Sequence, residues 1–94
     1  MIVSFRCEET RAIWNGERSR RLPSDIQAVA LRRLRLLAAA RRLDDLRVPP
    51  ASRLEALRGK RAGQHSIRIN DQWRLCFHWT EGGPSDVGIV DYHR

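Results

Sequence analysis

Three neighbouring side chains near the end of the sequence can take part in proton transfer. Asp91, Tyr92 and His93 supply a carboxylate, a phenol and an imidazole. An imidazole gains and loses a proton near neutral pH, and a carboxylate two positions earlier on the same strand face can orient it. Tyr92 can stack on a nucleobase or donate a hydrogen bond to a phosphate oxygen. A lone terminal histidine is usually a surface residue, so the triplet is suggestive and not specific.

Basic side chains precede this triplet in two places. Arg68 and Arg74 alternate with apolar residues, and guanidinium groups on a rigid sheet can hold a phosphate and offset the charge on its oxygens. The alternative interpretation is an exposed strand face that stays soluble. Arg58, Lys60 and Arg61 form a short basic loop. Such a loop suits an RNA backbone, although most basic loops are only solvated.

Glu55 is a carboxylate just before this loop. It is a candidate base if the chain folds it toward the sheet and an exposed turn residue otherwise, so it ranks below His93. His65 and His78 have no companion at metal-ligand spacing, and the two cysteines fit no metal motif, so we expect no metal. The sequence also has no glycine-rich phosphate loop and no nucleophile elbow, so we expect no cofactor.

The charge of the chain indicates an anionic partner. Eighteen Lys and Arg stand against 11 Asp and Glu, a net charge of +7, and every base except Lys60 is arginine. Guanidinium groups match phosphate geometry and stack on bases, which favours nucleic acid. Arg32 and Arg35 fall on the polar face of the longest predicted helix, where they are either a solvated surface or an RNA contact. Arginine-rich composition also follows from a GC-rich genome, so their number has little weight.

A chain of 94 residues has room for one modest core, so we expect a single domain over residues 1–94. It contains no run of about twenty apolar residues and no apolar leader after Met1, which predicts neither a membrane span nor a secretory signal. We therefore expect a cytoplasmic protein with no membrane contact.

The first half of the sequence predicts one strand, two helices and a connector. Their bounds are residues 1–6 for the strand, 8–14 for the first helix and about 24–42 for the second. Ser24 and Gln27 have the spacing of a capping box at the start of the second helix. Pro49-Pro50 prevents its continuation and makes a stiff connector, in which Leu54–Leu57 forms at most one helical turn.

The second half predicts three strands, over residues 64–69, 73–80 and 86–92. Asn70-Asp71 suits the tight turn between the first two. In the middle strand the apolar face consists of Trp73, Leu75, Phe77 and Trp79, and the other face of Arg74, Cys76 and His78. The predicted fold class is α+β, in the order strand–helix–helix–three strands. We expect an antiparallel sheet with helices packed on one face and the arginine-bearing face open.

Several segments are similar to the motifs of one known family. They are Leu54–Gly59, Gly63–Asn70, Gln72–Phe77 and Asp91–His93, together with Trp14, Gly16, Leu22-Pro23 and Pro49-Pro50. Through them essentially the whole chain resembles HigB-type toxins, the plasmid maintenance system killer branch of the RelE/ParE superfamily. The resemblance implies a RelE/ParE-like fold.

The resemblance also implies an activity and partners. Such a toxin is a ribosome-dependent endoribonuclease, which cleaves mRNA in the ribosomal A site by attack of a 2′-hydroxyl group without a metal. A HigA-like antitoxin with a helix-turn-helix fold neutralises it, and operator DNA is contacted only through the antitoxin.

The family's functional positions carry over to Asp91, Tyr92, His93, Arg74 and Arg58. The residues that we expect to contact RNA or the ribosome are Lys60, Arg61, Arg68, Arg32 and Arg35. One position departs from the pattern, because some HigB proteins have a catalytic histidine where this sequence has Glu55. The general base is therefore Asp91, Glu55 or His93.

Two other functions fit the same sequence. A ParE-like toxin shares the fold and inhibits gyrase without cutting RNA, and the terminal Asp91–His93 triplet argues against it. A basic RNA- or ribosome-binding module without catalysis is the second, and in it the triplet would be incidental.

Overall fold

Two α-helices and a four-stranded antiparallel sheet form the fold of residues 1–92, which are the residues that the computed structural model describes. The helices are α1 (Glu8–Trp14) and α2 (Ser24–Ala39), and the strands are β1 (Glu55–Ala56), β2 (Gln64–Arg68), β3 (Trp73–Thr80) and β4 (Gly83–Asp91). Short 3₁₀ turns cover Leu43–Arg47, Pro50–Ser52 and Gly59–Arg61. The strands lie side by side in chain order. The predicted α+β class is confirmed.

Helix α2 packs on the sheet through one apolar stripe. Ile26, Ala30, Leu34 and Leu37 recur every three or four residues and are all buried. The predicted capping box is wrong, because Pro23 occupies the N-cap and no side chain caps the helix. The Gln27 side chain instead bonds the backbone of the preceding loop.

Helix α2 ends at Ala39, three residues before the predicted end near Arg42. Ala40 is extended, and the Asp45 carboxylate then accepts hydrogen bonds from the backbone N–H groups of Arg41 and Arg42, at 2.9 and 3.0 Å. These bonds satisfy donors that a longer helix would have used internally, so the chain turns here.

The sheet edges differ from the prediction. Residues 1–6 pair with β4 only through an isolated parallel bridge between Phe5 and Val87, flanked by hydrogen bonds such as Arg6 N to Val87 O at 2.8 Å. The sheet still has four strands, because β1 replaces the predicted N-terminal strand. It lies in a segment where we expected a helical turn. Glu55 pairs with Ser66 there, because the free edge of β2 offers backbone partners that a single turn lacks. Strand β4 begins at Gly83 instead of residue 86, since its pairing with β3 continues past an irregularity between Cys76 and His78.

The two faces of the sheet separate core from arginine, as predicted. The helix-bearing face carries Ile67, Leu75, Phe77 and Ile89, all in the apolar core. The other face is not open, however, and that expectation was wrong. Arg74 is only 9% exposed, while Ser66 and Cys76 are fully buried. The stem of Arg6 covers part of this face, so close to Gly88 that a Cβ there would come within 2.7 Å of Arg6 Cδ.

Candidate functional site

Arg74 is the centre of the arginine-bearing face. Its Nη2 donates to Glu55 Oε1 at 3.1 Å and its Nη1 donates to Ser66 Oγ at 3.1 Å. The Tyr92 ring covers the guanidinium, with 5.4 Å from Arg74 Cζ to the ring centroid. The side chain is 11% exposed. The guanidinium is therefore fixed by a carboxylate, a hydroxyl and an aromatic ring, and retains a small exposed surface.

Strand register brings these groups together. Glu55 on β1 lies opposite Ser66 on β2, and Arg74 on β3 lies opposite Val90 on β4. Tyr92 follows Val90 by two positions, which returns it to the same face. A hydrogen bond from Tyr92 N to Gln72 O, at 2.7 Å, continues the strand pairing just beyond the end of β4.

Two clefts meet at this cluster, since Glu55 and Tyr92 line both of them. The first has a volume of about 530 Å³ and extends to Arg58. The second has a volume of about 380 Å³ and includes Arg53, Arg68 and Arg74. The structure thus brings the predicted Glu55, Tyr92, Arg74 and Arg58 to one basic cleft system. Its arginine side chains and the half-buried ring of Tyr92 suit a phosphate backbone with an unstacked base.

Arg68 lies directly opposite Arg74 and is half-buried. Its guanidinium is already paired with the exposed carboxylate of Asp71. Arg33 donates from Nε to the Arg68 carbonyl at 3.0 Å. Burial lowers the pKa of Arg33, and the charges of Arg32 and Arg68 lower it further. Arg68 therefore borders the cleft with part of its charge neutralised.

Asp91 does not join this cluster. It lies opposite Trp73, which places it on the helix side of the sheet, away from the face of Arg74. Its Oδ2 accepts from Gln72 Nε2 at 3.1 Å. His93 falls outside the described residues. Of the two triplet members that the structure describes, Tyr92 contacts Arg74.

The HigB family model, described as a RelE-like toxin of a type II toxin–antitoxin system, matches residues 4–93. The chain belongs to this family. Toxin HigB-1 of Vibrio cholerae serotype O1 is 46% identical over 68 residues, which make up 72% of each chain. An uncharacterized protein of Haemophilus influenzae is 38% identical over 78 residues, 83% of this chain and 76% of that protein. The resemblance seen in the motifs is confirmed, and membership in a HigB-type toxin–antitoxin system implies an antitoxin partner.

The basic loop of this HigB-like toxin lies in the turn Gly59–Arg61. Lys60 is exposed, while Arg61 is half-buried and its Nη1 has no hydrogen-bond partner among the described residues. Burial raises the pKa of the Cys76 thiol, and the nearby charges of Arg61, Arg6 and Arg74 act in the opposite direction. The buried Cys76 is accordingly a neutral thiol beside a basic surface.

Arg32 and Arg35 of the toxin lie on α2, on the opposite side of the sheet from Arg74. Both are exposed, and with Arg33, Leu36 and Pro49 they line a separate groove of about 330 Å³. The structure does not bring them to the Arg74 cluster.

Ser66 and Arg53 are parts of the site that the sequence analysis missed. The alternation of β2 placed Ser66 on the arginine face, so its pattern could have indicated a contact. Arg53 reaches the cleft through a left-handed backbone conformation, with φ 46°, which no local pattern indicated. Within residues 1–92, no group of three or more His, Cys, Asp or Glu side chains is placed to hold a metal ion. None of the helices in that range is long and apolar enough to span a membrane.

Proposed function

We propose that this toxin is a ribosome-dependent endoribonuclease that cleaves mRNA in the A site. The observation that carries the proposal is the fixed guanidinium of Arg74 at the junction of two basic clefts. A rigid guanidinium stabilises negative charge that develops on a phosphate, and a pre-formed site needs little reorganisation to do so. Family membership supplies the toxin context.

The reaction that fits the site is attack by a ribose 2′-hydroxyl group on the adjacent phosphorus. The 2′ oxygen forms a bond to phosphorus while the bond to the 5′ oxygen breaks, which leaves a 2′,3′-cyclic phosphate and a 5′-hydroxyl end. A base removes the 2′ proton and an acid protonates the leaving oxygen. Arg74 and Arg58 bind the phosphate in this scheme. Tyr92 stacks on a base of the codon.

Glu55 is the carboxylate that we propose as the base. It is in contact with Arg74 and lines both clefts. Asp91 lies on the other side of the sheet, where its carboxylate accepts a hydrogen bond from Gln72. For the acid that protonates the 5′ oxygen we propose His93 from its chemistry alone, since it lies outside the described residues. Glu55 thus performs in this chain the role of the histidine found at that position in some relatives.

The partners follow from the same proposal. The basic side chains of Lys60, Arg61 and Arg68 contact RNA around the A site. Because the ribosome orients the mRNA, the toxin needs few proton-transfer groups of its own. The reaction takes place in the cytoplasm without a metal. A HigA-like helix-turn-helix antitoxin neutralises the toxin, and operator DNA is contacted only through that antitoxin.

Primer extension on mRNA from translating ribosomes tests the proposal. Wild type should give cuts in phase with codons, Arg74→Ala should abolish them, and Arg47→Ala should retain them. Arg47 is a matched control because it is exposed and pairs with Asp44 away from the clefts. The downstream fragments should carry 5′-hydroxyl ends that become ligatable only after phosphorylation. Intact mRNA together with defects in DNA supercoiling would contradict the proposal and indicate gyrase inhibition instead.

A further inference from the structure

Ser66 is a fully buried polar residue whose hydroxyl is used by Arg74. Its Oγ accepts from Arg74 Nη1 at 3.1 Å. Ser66 lies in the middle of the sheet, paired with Glu55 on one side and with Cys76 on the other. A buried hydroxyl in a paired strand has little freedom to move. The Ser66–Arg74 bond is therefore the rigid anchor of the guanidinium.

The second bond of Arg74 has a different character. Glu55 is in a strand of two residues at the sheet edge, and its side chain is 39% exposed. Its carboxylate occupies Nη2, on the side where the clefts meet. A phosphodiester and a carboxylate are both anions that bind the same donors of a guanidinium fork. An entering phosphate therefore competes with Glu55 at Nη2 and does not need to disturb Ser66 at Nη1.

We propose that Ser66 is a positioning residue, which holds Arg74 in place while the RNA phosphate replaces the Glu55 carboxylate on Nη2. The displaced carboxylate remains beside the phosphate and takes the 2′ proton. This inference rests on the proposed nuclease function and adds an order of events to it. Before RNA enters, the Glu55 carboxylate is held in its ion pair with Arg74. The base is released only when a phosphate is bound.

The exchange predicts opposite effects on binding and on cleavage when Glu55 is neutralised. The probe for binding is a ribosome programmed with mRNA that carries a 2′-deoxynucleotide at the scissile position and so cannot be cut. Glu55→Gln removes the competing negative charge, and we expect the affinity for this complex to rise about 3-fold, a modest effect for a pair this exposed. On cleavable mRNA the same variant should react at least about 100-fold more slowly, because the general base is lost. Unchanged or weaker binding of Glu55→Gln to the probe would overturn the exchange.

Ser66 is tested by single-turnover cleavage at saturating toxin, with two matched controls. Ser66→Ala should lower the rate constant about 10-fold with little change in half-saturation, because misplacing a catalytic contact slows the chemical step more than binding. Ser52→Ala removes a buried hydroxyl that has no hydrogen-bond partner within residues 1–92, and should react like wild type. Thr10→Val removes a buried hydroxyl that accepts from Ile89 N at 3.0 Å, so it should lose thermal stability but retain its rate constant.

The outcomes separate the inference from the function on which it rests. Ser66→Thr, which keeps the hydroxyl, should restore most of the rate lost in Ser66→Ala if positioning is the cause. Ser66→Ala that melts normally and cleaves as fast as Ser52→Ala would overturn the positioning role and leave the nuclease intact. A wild-type toxin that does not cut programmed ribosomes would refute the nuclease, and this inference with it.

Discussion

Glu55 Oε1 lies 3.1 Å from Arg74 Nη2 although β2 separates their strands and the two residues are 19 positions apart. On the intervening strand, the residue opposite Glu55 is Ser66, whose small side chain leaves space for this contact. The serine both leaves this space and accepts a hydrogen bond from the same guanidinium through its Oγ. One small polar residue thus leaves room for the ion pair and holds the guanidinium from a second side.

This geometry makes Arg74→Lys a test of shape at constant charge. A guanidinium presents separate N–H groups to Glu55 and Ser66, whereas an ammonium is a compact point charge that cannot reproduce both contacts in the same plane. We expect single-turnover cleavage of programmed ribosomes to fall by about 100-fold, the usual effect of losing one charge-stabilising donor. Arg47→Lys is the control at an exposed ion pair. Wild-type cleavage by Arg74→Lys would show that charge alone is sufficient.

The turn after α2 gives a pH-dependent prediction. Backbone N–H groups of Arg42 and Arg41 lower the pKa of Asp45 by hydrogen bonding to its carboxylate. The pKa of this carboxyl is lower in the folded protein than in the unfolded chain, where it is about 3.9. The ionised carboxylate therefore stabilises the fold at pH values above the unfolded pKa. This stabilisation disappears as the pH falls through the folded pKa. Asp45→Asn should therefore melt below wild type at pH 7, and the gap should close toward pH 2.

Thermal melts from pH 7 to pH 2 measure that gap. Asp44→Asn is the matched variant, because Asp44 bonds an exposed arginine side chain and no backbone N–H of this turn. At pH 7, the difference in melting temperature between wild type and Asp44→Asn should be smaller than the difference for Asp45→Asn. A gap for Asp45→Asn that persists unchanged at low pH would show that the carboxylate charge does not stabilise the turn.

The arginines of α2 make a separate prediction about the ribosome. Arg32 and Arg35 are exposed on the helix layer, remote from the face of Arg74. If they contact ribosomal RNA, reversing both to glutamate should weaken ribosome binding and reduce its dependence on salt, because fewer counterions are released. Arg20 and Arg21, also exposed, provide a double reversal with the same change in net charge. Equal effects of the two double variants over a salt titration would indicate general electrostatics and no specific contact.

Local patterns predicted those parts of the fold that local forces determine. Helix α1 and strand β3 have the predicted bounds, because the acidic first turn of one and the alternation of the other act within a few residues. Strand β1 could not be predicted in the same way, since Glu55–Ala56 is extended only because the edge of β2 is available. The alternation also showed which face Arg74 occupies, but not that Arg6, Glu55 and Tyr92 would cover it.

The ring and the hydroxyl group of Tyr92 can be tested separately by substitution. The ring lies over the Arg74 guanidinium, with 5.4 Å from Cζ to the centroid. Such a contact contributes about 0.5–1 kcal/mol at a partly exposed site, and stacking on a nucleobase contributes about 1–3 kcal/mol. Tyr92→Phe keeps both contacts and should bind the programmed ribosome like wild type, whereas Tyr92→Ala should bind about 10-fold more weakly if the ring stacks on the codon. Half-saturation and rate constants from single-turnover cleavage distinguish stacking on the nucleobase from the contact with Arg74. An equal loss in both variants would assign the role to the phenol hydroxyl and not to the ring.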